Sequence, residues 1–227
     1  TKGPDGFSVI VASTFEFNAL VGGGSVFEDG KRAPTGVGLY ADASSGAIVH
    51  NKFYATEVIA CDTGVLMNCG PSGNPGTAIS DNTLEVPFLH LCKTHLQVGD
   101  ALAAVGRNRF EINLNGNSVP DASGVRIFGK QNLFTLDISQ TATNRGIVFE
   151  ESAEDNRVTI ANLDCGITNN AKRPTNKVES LVSPGFGVAT PEIPVSGETV
   201  INRTSFSCRV MIIEVGEVRQ WSIQDAR

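Results

Sequence analysis

The chain has 227 residues, enough for one sizeable core or for one core with a small appended module. With 41% hydrophobic and 19% charged residues it sorts with globular chains rather than with disordered or coiled-coil ones. A net charge of −6 argues against nucleic acid as the main partner, because phosphate recognition needs a basic face, and the longest apolar runs fall far short of the ~20 residues of a membrane-spanning helix.

The chain opens on "TKGPDGFSVIV", without an initiator Met or a basic region ahead of an apolar stretch, and is expected to be a processed chain or a piece of a longer one. From there one phrase recurs: Asn, any residue, apolar. It falls at Asn18, Asn51, Asn82, Asn108, Asn132 and Asn156, with spacings of 33, 31, 26, 24 and 24 and a further copy at Asn176. Phe110, Ile112 and Leu114 follow one copy in strict alternation, and Phe134, Leu136 and Ile138 follow the next, which is the period of a strand with one buried face. A second, shorter strand comes after a turn residue in "GVGL" at 36, "GVLM" at 64, "GVRIF" at 124 and "GIVF" at 146, with "DALAAV" in that place at 100. "CKTHLQVGDALAAV" leaves room for one helical turn.

Units of this size holding short strands and turns of variable length cannot bury an apolar face singly, but stacked units share a continuous core. The predicted fold is therefore all-β: a right-handed parallel β-helix of about six coils over 1–183, then a small C-terminal antiparallel β module over 184–227. Asn18, Asn51, Asn82, Asn108, Asn132 and Asn156 are read as an internal ladder, since an amide both donates and accepts along the stack and Asn tolerates left-handed backbone. The alternative is a set of unrelated turn residues.

Outward side chains stack in the same register. One column carries Glu85, Glu111, Thr135 and Thr159, and another carries Pro87, Asn113, Asp137 and Ala161. Carboxylates on adjacent coils stand about 5 Å apart, close to the spacing of retaining glycosidases, so Glu85, Glu111 and Asp137 are the candidate catalytic residues. The competing reading is a solvated face whose carboxylates are balanced by Arg109 and other cations. His90, Cys92 and His95 are metal-ligand types, but a straight strand cannot aim all of them at one ion. The acidic run Glu150, Glu151, Glu154 and Asp155 reads as a solvated turn. Cys61 and Cys69 flank a strand and either pair or remain small buried thiols. No fingerprint calls for a cofactor or a metal.

The Asn phrases resemble the Asn ladder of right-handed single-stranded β-helices, as in pectate lyase-like proteins and phage tailspikes, over roughly residues 8–182. The stretch from 190 onward, with Pro191, Pro194, Ser196, Gly197, Val200 and Asn202 ahead of short strands, is similar to a β module at the C-termini of phage structural proteins. That resemblance implies trimerisation or attachment through Val210, Ile212, Val215 and Trp221; the competing reading is a cap on the solenoid's end.

Together these resemblances imply a virion structural protein: a homotrimeric β-helix spike, fibre or capsid decoration of a phage-like virus, assembled in the host cytoplasm and docked on shell or tail proteins. The alternative is a tailspike that binds or cleaves host surface polysaccharide, which would make the chain a glycan hydrolase or lyase. A secreted microbial carbohydrate enzyme is the remaining reading.

Overall fold

In the computed structural model the described residues are 8–22, 27–28, 31–32, 36–44, 46–69, 78–100, 105–117, 123–141, 145–163 and 166–180. All regular structure among them is β-strand, gathered into a four-stranded, a seven-stranded and a six-stranded parallel sheet, with a small antiparallel hairpin between Phe27–Glu28 and Lys31–Arg32. Of the stretch expected to allow a helical turn, residues 94–98 form the strand Thr94–Val98 and Val105 begins the strand Val105–Gly106, while residues 101–104 lie outside the described residues. By its own contacts the chain divides into Thr1–Ile193 and Pro194–Arg227. The described strands all belong to the first.

The chain visits the three sheets in rotation. From Gly46–Val49 in the four-stranded sheet it passes to Lys52–Ile59 in the seven-stranded sheet and Thr63–Asn68 in the six-stranded sheet, then returns through Ala78–Ser80, Thr83–His90 and Thr94–Val98. Each circuit adds one parallel strand beside its predecessor, as in Thr83↔Lys52 and Thr94↔Thr63. The path is compatible with a parallel β-helix, since each circuit lays its strands parallel beside those of the circuit before.

Alternation in the seven-stranded sheet puts one apolar column inside. Phe15, Phe53, Leu84, Phe110, Phe134 and Val158 are successive partners, and the rings of Phe110 and Phe134 stack 4.7 Å apart. Val86, Ile112, Leu136 and Ile160 form a second inward column, all of them buried. Register slips between Val86 and Leu89, where Pro87 and Phe88 together face the single residue Asn113 of the next strand. Such a bulge re-aims side chains on the outer face.

The six-stranded sheet carries a register column of glycines, Gly38, Gly64, Gly124 and Gly146, interrupted once by His95 and followed at the end by the exposed Gly166. A Cβ on Gly64 would lie 2.5 Å from Leu89 Cδ1 and 3.1 Å from Cys92 Sγ, so the missing side chain is what lets the corner close over the core.

Candidate functional site

The turn entering six of the seven strands of the seven-stranded sheet, all but Lys177–Ser180, repeats a single geometry. Ala12, His50, Asp81, Arg107, Gln131 and Asp155 have positive φ of 50–59°, and each immediately precedes a residue of the internal column. The left-handed residue is thus the one before the Asn, not the Asn itself. That kink turns backbone groups inward, where water cannot pair them.

The Asn side chains pair these groups. Asn82 Oδ1 accepts from the N–H of Asn51 at 2.9 Å and from its Nδ2 at 3.0 Å, and Asn108 Oδ1 accepts likewise from Asn82 at 3.1 and 3.0 Å. Asn132, Asn156 and Asn176 continue the series, each receiving both donors of the Asn one circuit earlier. The amides also donate to carbonyls of the preceding circuit, as Asn82 Nδ2 does to Ile48 O at 2.9 Å. Every Asn from Asn51 to Asn176 in this column is at most 3% exposed.

Asn18 is a correction. It lies exposed inside the strand Thr14–Val21, and the first position of the column belongs to Ser13, whose N–H donates to Asn51 Oδ1 at 3.0 Å. The apolar residue two places after Asn18 imitates the phrase, but Asn18 lies within a continuous strand, with no turn beside it to satisfy. Ser13 carries the offset, followed by Phe15 and Phe17, without the Asn that made the other copies visible.

On the outer face Glu85 and Glu111 are partners in register, continued by Thr135 and Thr159. Each carboxylate has a cation beside it: Lys52 Nζ lies 3.7 Å from Glu85, and Arg109 Nε donates to Glu111 at 2.7 Å. Their side chains are 39% and 40% exposed on an open sheet face. Each is therefore a solvent-accessible carboxylate paired with a cation. Asp137 stands beside Asn113 rather than beside either glutamate, and Asn113 Oδ1 and Asp137 Oδ1 are buried without a hydrogen-bond partner.

His90, Cys92 and His95 diverge. His90 Nε2 meets Glu57 Oε1 at 2.9 Å outside, while Cys92 and His95 are buried inside. The Nδ1–H of His95 donates to Ser123 O at 3.2 Å, and its Nε2 has no partner. Loss of hydration pushes the His95 pKa down to about 4, partly countered by the Ser123 carbonyl and reinforced by the charge of His90. Among the described residues no group of three or more His, Cys, Asp or Glu is placed to hold a metal ion.

Two features were not singled out in advance. At the bulge the half-exposed Phe88 ring meets the His90 ring edge-on, 4.4 Å between centroids, beside Glu57. At another corner Phe128, Lys130, Glu150–Glu154, Lys172 and Arg173 line a depression of about 510 Å³. There the acidic run is an ion-pair network: Arg126–Glu150 and Lys130–Glu154 at 2.7 Å, Lys172–Glu151 at 3.1 Å, and Arg173–Glu154. The two cations hold the Glu154 carboxyl below the usual carboxylate range.

Cys61 and Cys69 lie at opposite ends of the six-residue strand Thr63–Asn68, about 20 Å apart, too far to pair. Both are buried. The proposed oligomerisation residues Val210, Ile212, Val215 and Trp221 lie outside the described residues. No protein-family model, curated protein or solved structure matches the chain.

Proposed function

We propose that the chain is a right-handed single-stranded parallel β-helix of about six coils with a C-terminal β module, and that it serves as a virion structural protein. In this reading it is a homotrimeric spike, fibre or capsid decoration of a phage-like virus, assembled in the host cytoplasm and docked on shell or tail proteins. The observation that carries the reading is the unbroken column from Asn51 to Asn176. It spends the interior polar groups on joining circuits, while Glu85 and Glu111 outside are held by Lys52 and Arg109. Such a chain is suited to bearing load, because every circuit is tied to the next by backbone and amide bonds. Light scattering on the full chain tests assembly, and co-sedimentation with particles or purified shell and tail proteins tests docking. A trimer that sediments with particles supports the reading; a monomer without affinity for them overturns it.

One observation favours a second reading, a tailspike that binds or cleaves host surface polysaccharide. Phe88 offers a ring face beside the His90–Glu57 pair, and sugars are commonly held by a flat apolar surface flanked by polar groups. Binding of host polysaccharide abolished by Phe88→Ala, or depolymerisation abolished by Glu111→Gln, would establish it. Unchanged binding and no cleavage would remove it.

A further inference from the structure

Cys61 and Cys92 occupy the same corner on neighbouring circuits. Ala60 and Leu91, the residues before them, both have positive φ, 59° and 56°. The strands on either side are in register, Ile59 with His90 and Thr63 with Thr94, and Lys93 N–H donates to Cys61 O at 3.2 Å. Each thiol donates to the carbonyl two residues back, Cys61 to Ile59 and Cys92 to His90, both at 3.3 Å. Each sulfur also packs against a glycine of the six-stranded sheet: a Cβ on Gly38 would lie 3.1 Å from Cys61 Sγ, and one on Gly64 3.1 Å from Cys92 Sγ. The two side chains therefore leave the backbone in one direction and stack.

We infer that Cys61 and Cys92 form a disulfide between adjacent circuits when the protein meets a small-molecule disulfide such as oxidised glutathione. In-register parallel strands lie about 4.8 Å apart, inside the roughly 4.4–6.8 Å window of Cα separations that a disulfide spans. Each thiol also influences the other: the neighbouring Cys92 side chain lowers the Cys61 pKa, and the neighbouring Cys61 side chain, with burial, raises that of Cys92. Exchange can begin at either sulfur. The Cys61 thiolate attacks one sulfur of the oxidant, forming a mixed disulfide and releasing one small thiolate. Cys92 then loses its proton and attacks Cys61 Sγ, closing the Cys61–Cys92 bond and expelling the second small thiolate. Two protein thiols are oxidised, one small disulfide is reduced to two thiols, and the protein's protons end on them. Both sulfurs are buried, yet they lie one layer beneath the exposed residues Asp62 and Lys93, so local opening of the corner admits the oxidant.

The bond would be a staple set after folding, closing a stacked corner that the reduced chain holds only by packing. The test uses the full chain in two arms, native protein held in oxidised glutathione and denatured protein refolded in a glutathione redox mixture. Each is then alkylated, digested and mapped by mass spectrometry. The expected result is a Cys61–Cys92 linked peptide pair reversed by dithiothreitol, with a Tm several degrees higher than that of the reduced chain. In Cys61→Ser, Cys92 should remain an alkylatable thiol. Absence of the pair in both arms, or its replacement by links to Cys69, Cys165 or Cys208, would overturn the inference. A pair formed only on refolding keeps the connectivity and overturns the native exchange route.

Discussion

Asn132 Oδ1 accepts two hydrogen bonds from Asn108, one from its backbone N–H at 3.0 Å and one from its Nδ2 at 3.2 Å. One side-chain oxygen thus satisfies a main-chain donor and a side-chain donor of the neighbouring circuit, both without access to water. Asn132 repeats the role as donor toward Asn156. Aspartate would lose the amide donor and bury a charge, and an aliphatic residue would lose both functions, which is why the position is so narrow in chemistry.

The turn ahead of the column stores strain that a glycine would relieve. Gln131 is exposed, with φ of 58°, and its side chain is not needed for the inward bonds. Gln131→Gly is expected to be neutral to stabilising, by up to about 1 kcal/mol, and Gln131→Val to be destabilising by about 1–2 kcal/mol in urea unfolding.

His95 gives stability a pH dependence of known sign. Its folded pKa of about 4 lies below the usual 6.5, so between those values the unfolded chain binds the extra proton. Its contribution is intact above pH 6.5, falls as pH drops toward 4 and levels off below that, a loss of roughly 3 kcal/mol. Urea titrations at pH 7.5, 5.5 and 4 should show this limb, and in His95→Phe it should shrink.

The glycine column predicts a steric penalty. In Gly64→Ala the added carbon meets Leu89 Cδ1 at 2.5 Å and the His95 carbonyl oxygen at 2.7 Å, and the backbone oxygen cannot yield. A loss of about 2–4 kcal/mol is expected by chemical denaturation.

Glu85→Gln and Glu111→Gln should behave as changes to an exposed face. Their cations, Lys52 and Arg109, are more than half exposed, so each substitution is expected to change stability by less than about 0.5 kcal/mol and to leave assembly unaltered by light scattering.

The strands were legible because their periodicity and their turn residues agree. Phe110 to Leu114 and Phe134 to Ile138 alternate as a half-buried strand must, and an Asn precedes each. Ser13 escaped because a serine can stand at the end of the column, where only its backbone N–H must be paired, so the phrase is missing there and Asn18 counterfeits it. The bulge at Pro87 and Phe88 was illegible for another reason. One extra residue leaves the alternation intact on either side, and only the partner strand reveals the slip. His95 signalled only a metal-ligand type, since its significance lies in the glycines stacked with it rather than in its own neighbours.

The measurement closest to the central claim compares Asn132→Ala with Asn18→Ala in equilibrium unfolding. Asn132→Ala strips the acceptor from Asn108 and leaves buried groups unpaired, so a loss of about 3 kcal/mol or more is expected. Asn18→Ala removes an exposed side chain outside the column and should cost less than about 0.5 kcal/mol. Similar small losses for the two variants would contradict the claim that the Asn column ties the circuits together.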